Sequence, residues 1–113
     1  MAEEHPARPG AGTARIAEAD EQRAVLVLSG DLRGAPALRD LEELLLSERL
    51  RRSRSWVLEL ADLDHLGLAC AYAVLRAVTS APQPVDLTVR GAHRPVHRTL
   101  REAGIDALAR FEH

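Results

Sequence analysis

The chain has 113 residues and a mass of 12.4 kDa, enough for one domain. Hydrophobic residues make up 46% and charged residues 28%, a globular composition that excludes a wholly disordered chain. The net charge of −2 and the scarcity of aromatic residues argue against a nucleic-acid partner and against a membrane surface. One cysteine excludes an internal disulfide. No apolar run reaches the ~20 residues of a membrane span, and none resembles a signal peptide. We therefore expect a cytoplasmic protein that does not insert directly into a membrane.

The N-terminal third of the chain predicts a leader followed by a β-hairpin. Residues 1–12 combine prolines and glycines with small and charged residues and are expected to form a flexible leader. A single domain would then occupy residues 13–113. Residues 13–18 read as a weak strand, and residues 19–23 are polar enough for a turn. The apolar run at 25–28 predicts a second strand, which the following Ser-Gly pair ends.

Helical and strand periods alternate in the rest of the chain. Leucines at helical spacing behind Pro36 predict a first helix, and residues 56–60 alternate as a strand does. Apolar residues at helical spacing over 71–78 predict a second helix, which two prolines end. Residues 85–90 are the clearest half-buried strand.

The last part of the chain predicts a short helix and a final strand. Residues 96–103 keep a helical period behind a proline, and Gly104 is the expected C-cap. A short strand is expected over 105–111. The predicted order is therefore β-β-α-β-α-β-α-β, which is typical of parallel neighbours with an antiparallel hairpin at one edge. We predict a small α/β domain in which a mixed sheet of about five strands has helices packed on one face.

Four segments of the sequence resemble, in the same order and spacing, the conserved motifs of one domain family. VLVLSGDL (residues 25–32) is similar to a strand followed by a G-E-L-D turn, and WVLELADLDHL (56–66) is similar to a central strand that leads to D-S-S-G. VDLTVRG (85–91) and RTLREAGI (98–105) are similar to a later strand and to the helix and turn that follow it. Together they resemble the STAS domain, the fold of anti-sigma factor antagonists, over residues 13–111.

This sequence departs from the family at the position that carries its switch. The resemblance implies an Asp-Ser pair at the start of the helix after the central strand, with the serine phosphorylated by a partner kinase. A helix N-terminus favours such a phosphate. The positions of Asp-Ser-Ser-Gly are here Gly67, Leu68, Ala69 and Cys70, and none carries a hydroxyl. Arg33 stands where an acidic residue ends the G-E-L-D turn.

By this resemblance the protein is a non-enzymatic binding module without a cofactor, whose partner is an anti-sigma factor of the serine-kinase type. Without a phosphorylatable side chain at Leu68, it would bind that partner constitutively or bind another one. The alternatives are a cytoplasmic STAS subunit beside the ATPase of an ABC lipid-transport complex, and a scaffold component that binds a sister STAS protein. A homodimer is left open. Partner contacts are expected in two turns at one end of the sheet: Asp31, Arg33, Asp62, Asp64, His65, Gly67 and Leu68.

An enzyme is the distant alternative. A small thiol or metal hydrolase would use Cys70 with His65 and Asp64, because a helix N-terminus favours a thiolate. A lone cysteine among alanines is, however, more typical of a core. Asp62 and Asp64 could hold Mg²⁺ or act as acid and base, although charges at a turn and a helix terminus are the simpler interpretation.

Two further groups receive structural interpretations. His93 and His97 have the spacing of two metal ligands on one helix face, but no third ligand is evident, so they are interpreted as a solvated pair. The arginines within residues 49–54 could contact an acidic partner. We interpret them as a helix C-terminus followed by a solvated loop.

Overall fold

The computed structural model describes residues 12–112, which form six strands, four α-helices and one 3₁₀ turn. The strands are β1 (Thr13–Ala19), β2 (Arg23–Leu32), β3 (Ser55–Glu59), β4 (Leu63–Leu66), β5 (Asp86–Arg90) and β6 (Ala109–Glu112). The helices are α1 (Ala35–Leu45), α2 (Glu48–Arg51), α3 (Leu68–Thr79) and α4 (Arg94–Ala103), and the 3₁₀ turn is Ile105–Ala107. Of the predicted leader, residues 1–11 lie outside the described part of the chain.

The strands form one mixed sheet in the order β1-β2-β3-β5-β6, and β4 pairs with β2 away from this path. β1 and β2 are antiparallel, whereas the other neighbouring pairs are parallel. This confirms the predicted hairpin at one edge and the parallel pairs made by strand–helix–strand units.

β2 continues through the Ser-Gly pair that was expected to end it. Its first half pairs with β3 from Arg23 to Val27, and its last residues pair with β4 from Gly30 to Leu32. The register shifts between Gly30 and Asp31, and Gly30 has a φ of 77°, a conformation that glycine adopts without strain. The glycine therefore lets the strand change its neighbour instead of ending.

β4 is a strand in a stretch that was expected to be a turn, and it adds a sixth strand beside the five of the main path. Leu63 and Leu66 are buried, while Asp64 and His65 between them are exposed. Two buried residues three apart do not show the alternation of a strand, and four residues are too few to establish any period. The strand forms because the extension of β2 offers unpaired backbone groups beside it.

The helix boundaries agree with the prediction at the prolines and at one glycine. Pro36 and Pro95 lie in the first turns of α1 and α4, and Gly104 ends α4 in the left-handed conformation. The arginine run begins with the separate short helix α2 instead of extending α1. The final strand begins at Ala109, later than expected, because the 3₁₀ turn first buries Ile105 in the core.

The helices pack on one face of the sheet, as predicted. Alternate residues of β2, β3 and β5 join one hydrophobic core with buried residues from all four α-helices, whereas Val25 and Val57 lie outside this cluster. The strand residues that face the helices are Ala24, Leu26, Leu28, Trp56, Leu58, Leu87 and Val89. Within residues 12–112, none of the helices has the length and apolar character to cross a membrane.

Candidate functional site

The pairing of β2 with β4 brings the two segments of candidate contact residues side by side. Asp31 lies opposite His65, and Leu32 lies opposite Leu66. The contact continues past the strands, because the N–H of Gly67 donates to the Leu32 carbonyl at 2.8 Å. The segments that the sequence suggested as turns are thus the ends of two paired strands.

Arg33 and Asp31 form a bidentate ion pair. The Arg33 Nε donates to Oδ1 of Asp31 at 2.7 Å, and its Nη2 donates to Oδ2 at 2.6 Å. These hydrogen bonds lower the pKa of the Asp31 carboxyl and raise the pKa of the Arg33 guanidinium. Arg33 therefore neutralises the carboxylate two positions before it.

This ion pair predicts a pH dependence of stability. A carboxyl whose pKa is lowered on folding stabilises the fold above its unfolded pKa of about 3.9, and that stabilisation is lost as the pH falls through the folded value. In Arg33→Gln the pKa of Asp31 should rise towards its ordinary value in a carboxyl NMR titration, and stability should fall less steeply between about pH 5 and pH 3. The exposed Arg39 offers a control in Arg39→Gln. If Asp31 titrates alike in the wild type and Arg33→Gln, the ion pair does not form in solution.

Asp62, Asp64 and His65 are all exposed. The backbone of Asp62 is hydrogen-bonded to β2, since its carbonyl accepts the Gly30 N–H at 2.9 Å. Within residues 12–112, no side chain caps α3, and its first turn contains no acidic residue. The interpretation of the two aspartates as helix-terminus charges is therefore wrong. They form a solvent-facing acidic edge beside the ion pair.

The start of α3 presents apolar side chains next to this edge. Gly67 is the N-cap, and a Cβ at this position would lie 3.3 Å from the Leu32 carbonyl oxygen, so glycine permits the close approach. Leu68 is the first helical residue and is 42% exposed, while Tyr72, one turn later, is 39% exposed. Residues four apart share a helix face, and we call these two side chains the Leu68–Tyr72 patch. The sequence analysis missed Tyr72, although its spacing from Leu68 was a usable signal.

Cys70 lacks the environment of a nucleophile. Its side chain is 1% exposed, and burial raises the pKa of its thiol, with the charge of Glu42 adding to the effect. Desolvation thus outweighs the helix N-terminus that would favour a thiolate. His65, the base suggested for it, is exposed on β4. The core interpretation of Cys70 is confirmed, and the thiol-hydrolase alternative has no accessible nucleophile.

His93 and His97 each contact the protein and are not merely a solvated pair. Nε2 of His93 hydrogen-bonds with the carbonyl of Ala61 at 2.7 Å. The ring of His97 meets the ring of Phe111 edge-on, with the centroids 4.7 Å apart. In the part of the chain that the structure describes, no group of three or more His, Cys, Asp and Glu side chains could hold a metal ion.

The arginine run covers α2 and the loop that follows it. Arg52 lies 3.9 Å from Glu48 with both side chains exposed, a surface ion pair of small energetic value. Ser53 is fully buried, and its hydroxyl donates to the carbonyl of Asp20. This hydrogen bond ties the end of α2 to the β1–β2 turn, in agreement with a structural interpretation of the run.

Comparison with known proteins agrees with this fold. The crystal structure of an anti-sigma factor antagonist from Mycobacterium paratuberculosis is similar, with a TM-score of 0.69 and 17% sequence identity over 94% of this chain and 89% of that chain. At this identity the likeness shows the fold alone. No curated protein matches the sequence. Residues 17–110, however, match the family profile described as "Mlab, STAS domain", and since that match covers most of the sequence, the chain belongs to the STAS-domain family.

Proposed function

We propose that this protein is a non-enzymatic STAS-type regulator that binds a partner protein through the end of β2, β4 and the start of α3. The observation that carries the proposal is the β2–β4 pairing, which joins a charged edge to an exposed apolar patch on one surface. The proposed contact residues are Asp31, Arg33, Asp62, Asp64, His65, Gly67 and Leu68.

The chemistry of this surface defines the partner that fits it. Full burial of Leu68 would contribute about 2 kcal/mol, and Tyr72 extends the apolar area. Asp31 is already neutralised by Arg33, so Asp62 and Asp64 supply the net negative charge. The complementary partner surface is apolar with basic side chains at its margin.

Leu68 also decides how the contact is regulated. It occupies the position where the resemblance places a phosphorylated serine, and a phosphate there would add about −2 charge. Leucine cannot carry a phosphate, so binding is not switched at this position. We assign the partner to the anti-sigma factors of the serine-kinase type and the contact to the cytoplasm.

A second candidate partner is the ATPase subunit of an ABC lipid-transport complex, or a sister STAS protein in a scaffold. The apolar Leu68 favours this candidate equally well, because a contact that is never phosphorylated needs no hydroxyl there. Both candidates use the same surface, and the identity of the partner decides between them. A thiol hydrolase has no comparable support, because Cys70 is buried.

The test is capture of the partner from a lysate of the source cells on three forms of the full chain. Leu68→Asp charges the Leu68–Tyr72 patch and should keep the fold, because an acidic residue in the first turn of a helix is favourable. Leu108→Asp is the control, since Leu108 is 44% exposed, much like Leu68, but lies beyond α4. We expect mass spectrometry to find a serine-kinase protein on the wild type and the control, and at least about tenfold less of it on Leu68→Asp.

The other outcomes of this capture are also informative. An ABC ATPase or a STAS protein recovered with the same dependence on Leu68 would select the second candidate. Equal recovery of every bound protein on all three forms would contradict the proposed surface.

A further inference from the structure

A cleft of about 360 Å³ lies between α1 and α3 and beside α2, and it extends along α3 from Ala73 to Ser80. Its apolar wall comes from Leu45, Ala73 and Ala77. Leu46 stands at its rim as the C-cap of α1 and is 70% exposed, more than any other large hydrophobic residue of the described chain. The molecule therefore carries an apolar projection directly beside an apolar recess.

The position of Leu46 follows from the packing of the leucines before it. Leu45 is buried in the core and Leu44 is half-buried against it. Because successive residues point in different directions at the end of a helix, Leu46 is directed away from the core. A side chain on the rim cannot fill the recess beside it, but it can enter the same recess of a second copy. Such reciprocal insertion is the geometry of a two-fold symmetric contact.

The rim carries one carboxylate, Glu42, and two arginines, Arg51 and Arg76, so Glu42 can bridge an arginine of its own chain and one of a second copy. Glu42 lies 3.4 Å from Arg76, with both side chains largely exposed. Arg51, on the α2 side, has no acidic side chain within ion-pair distance among residues 12–112. A second copy turned through 180° can bring its Glu42 to this arginine, and the symmetry then makes the same pair twice.

We propose that two copies of this chain associate through this cleft, with Leu46 of each inserted into the recess of the other. Along α3 the cleft begins at Ala73, five residues after Leu68, and none of its lining residues is a proposed partner contact. The dimer contact uses none of the proposed partner-contact residues, so each of the two copies keeps its own partner-binding surface. It does not depend on the proposed function, because its residues differ from the proposed partner contacts.

Sedimentation equilibrium of the full chain tests this inference directly. We expect the wild type to sediment as a dimer, and Leu46→Arg to weaken dimerisation at least about 100-fold, because each dimer buries this leucine twice. An arginine at a helix C-terminus suits the helix dipole, so the variant should fold, as circular dichroism would show. Leu108→Arg is the control and should remain a dimer. A wild type that stays monomeric, or a Leu46→Arg variant that dimerises as the wild type does, would overturn the proposal.

A charge exchange tests the symmetry. Glu42→Arg alone should place like charges opposite each other, and so should Arg51→Glu alone, so each variant should be at least about tenfold weaker as a dimer than the wild type. Mixed in equal amounts, the two variants should form heterodimers, because the introduced arginine of one chain then faces the introduced glutamate of the other. Heterodimers in the mixture support the arrangement. A mixture that associates no better than the separate variants contradicts it.

Discussion

Replacing Trp56 with alanine is expected to lower the free energy of unfolding by about 3–5 kcal/mol. Trp56 is the largest fully buried side chain of the core, and its Nε1 donates to the Leu50 carbonyl at 3.0 Å. The indole therefore fills the space between the sheet and α2 and also ties them together. A domain of this size is stable by about 5–15 kcal/mol, so this is a large fraction of the total. Thermal unfolding followed by circular dichroism should show a midpoint at least about 10 °C lower.

Trp56→Phe separates the two contributions of the indole. It keeps a large aromatic ring and removes the N–H group. The Leu50 carbonyl still accepts the N–H of Ser53 at 3.0 Å, so it is not left without a donor. We therefore expect a clearly smaller loss than in Trp56→Ala. If Trp56→Ala lowers the free energy of unfolding by less than about 1 kcal/mol, α2 does not pack against the sheet as described.

The elements that could be predicted from sequence are those with a hydrophobic period of their own. Residues 56–60 and 85–90 alternate, and they match β3 and β5 to within one residue at each end. β4 and the last part of β2 could not be predicted in this way, because each becomes a strand by bonding with the other. The hydrophobic pattern of one segment carries no information about a backbone partner such as Leu66, which pairs with Leu32 from 34 residues further along the chain.

For the candidate site, the sequence predicted which residues lie near one another better than it predicted the interactions that their side chains make. Asp31 and Arg33 are two residues apart, which places both side chains on one face of an extended backbone, but the sequence suggested a turn there. Tyr72 was missed because the hydrophobic period was followed only from residue 71, although the resemblance had already placed Leu68 at the start of this helix. The position of Cys70 near a helix N-terminus favoured a thiolate, but burial in the tertiary structure raises the pKa of the thiol instead. The burial of Cys70 is the one of these differences that arises from contacts distant in sequence.

Replacing Gly91 with alanine is expected to destabilise the fold by about 2–4 kcal/mol. Gly91 has a φ of 74°, and a Cβ there would lie 3.1 Å from three atoms of Ala61. The variant therefore combines left-handed backbone strain with a tight contact that requires Ala61 to shift by a few tenths of an ångström. Urea unfolding should measure this loss.

Gly104→Ala is the matched control, because Gly104 has a φ of 92° and open space where a Cβ would lie. It should cost about 1–2 kcal/mol, from the backbone alone. The difference between the two variants isolates the contact with Ala61, and equal losses would show that Ala61 moves aside freely. Ala61 also holds His93 through its carbonyl and directly precedes Asp62 on the proposed partner surface. A displacement at Ala61 should therefore weaken partner capture by Gly91→Ala even under conditions where the variant is fully folded, whereas Gly104→Ala should capture the partner as the wild type does.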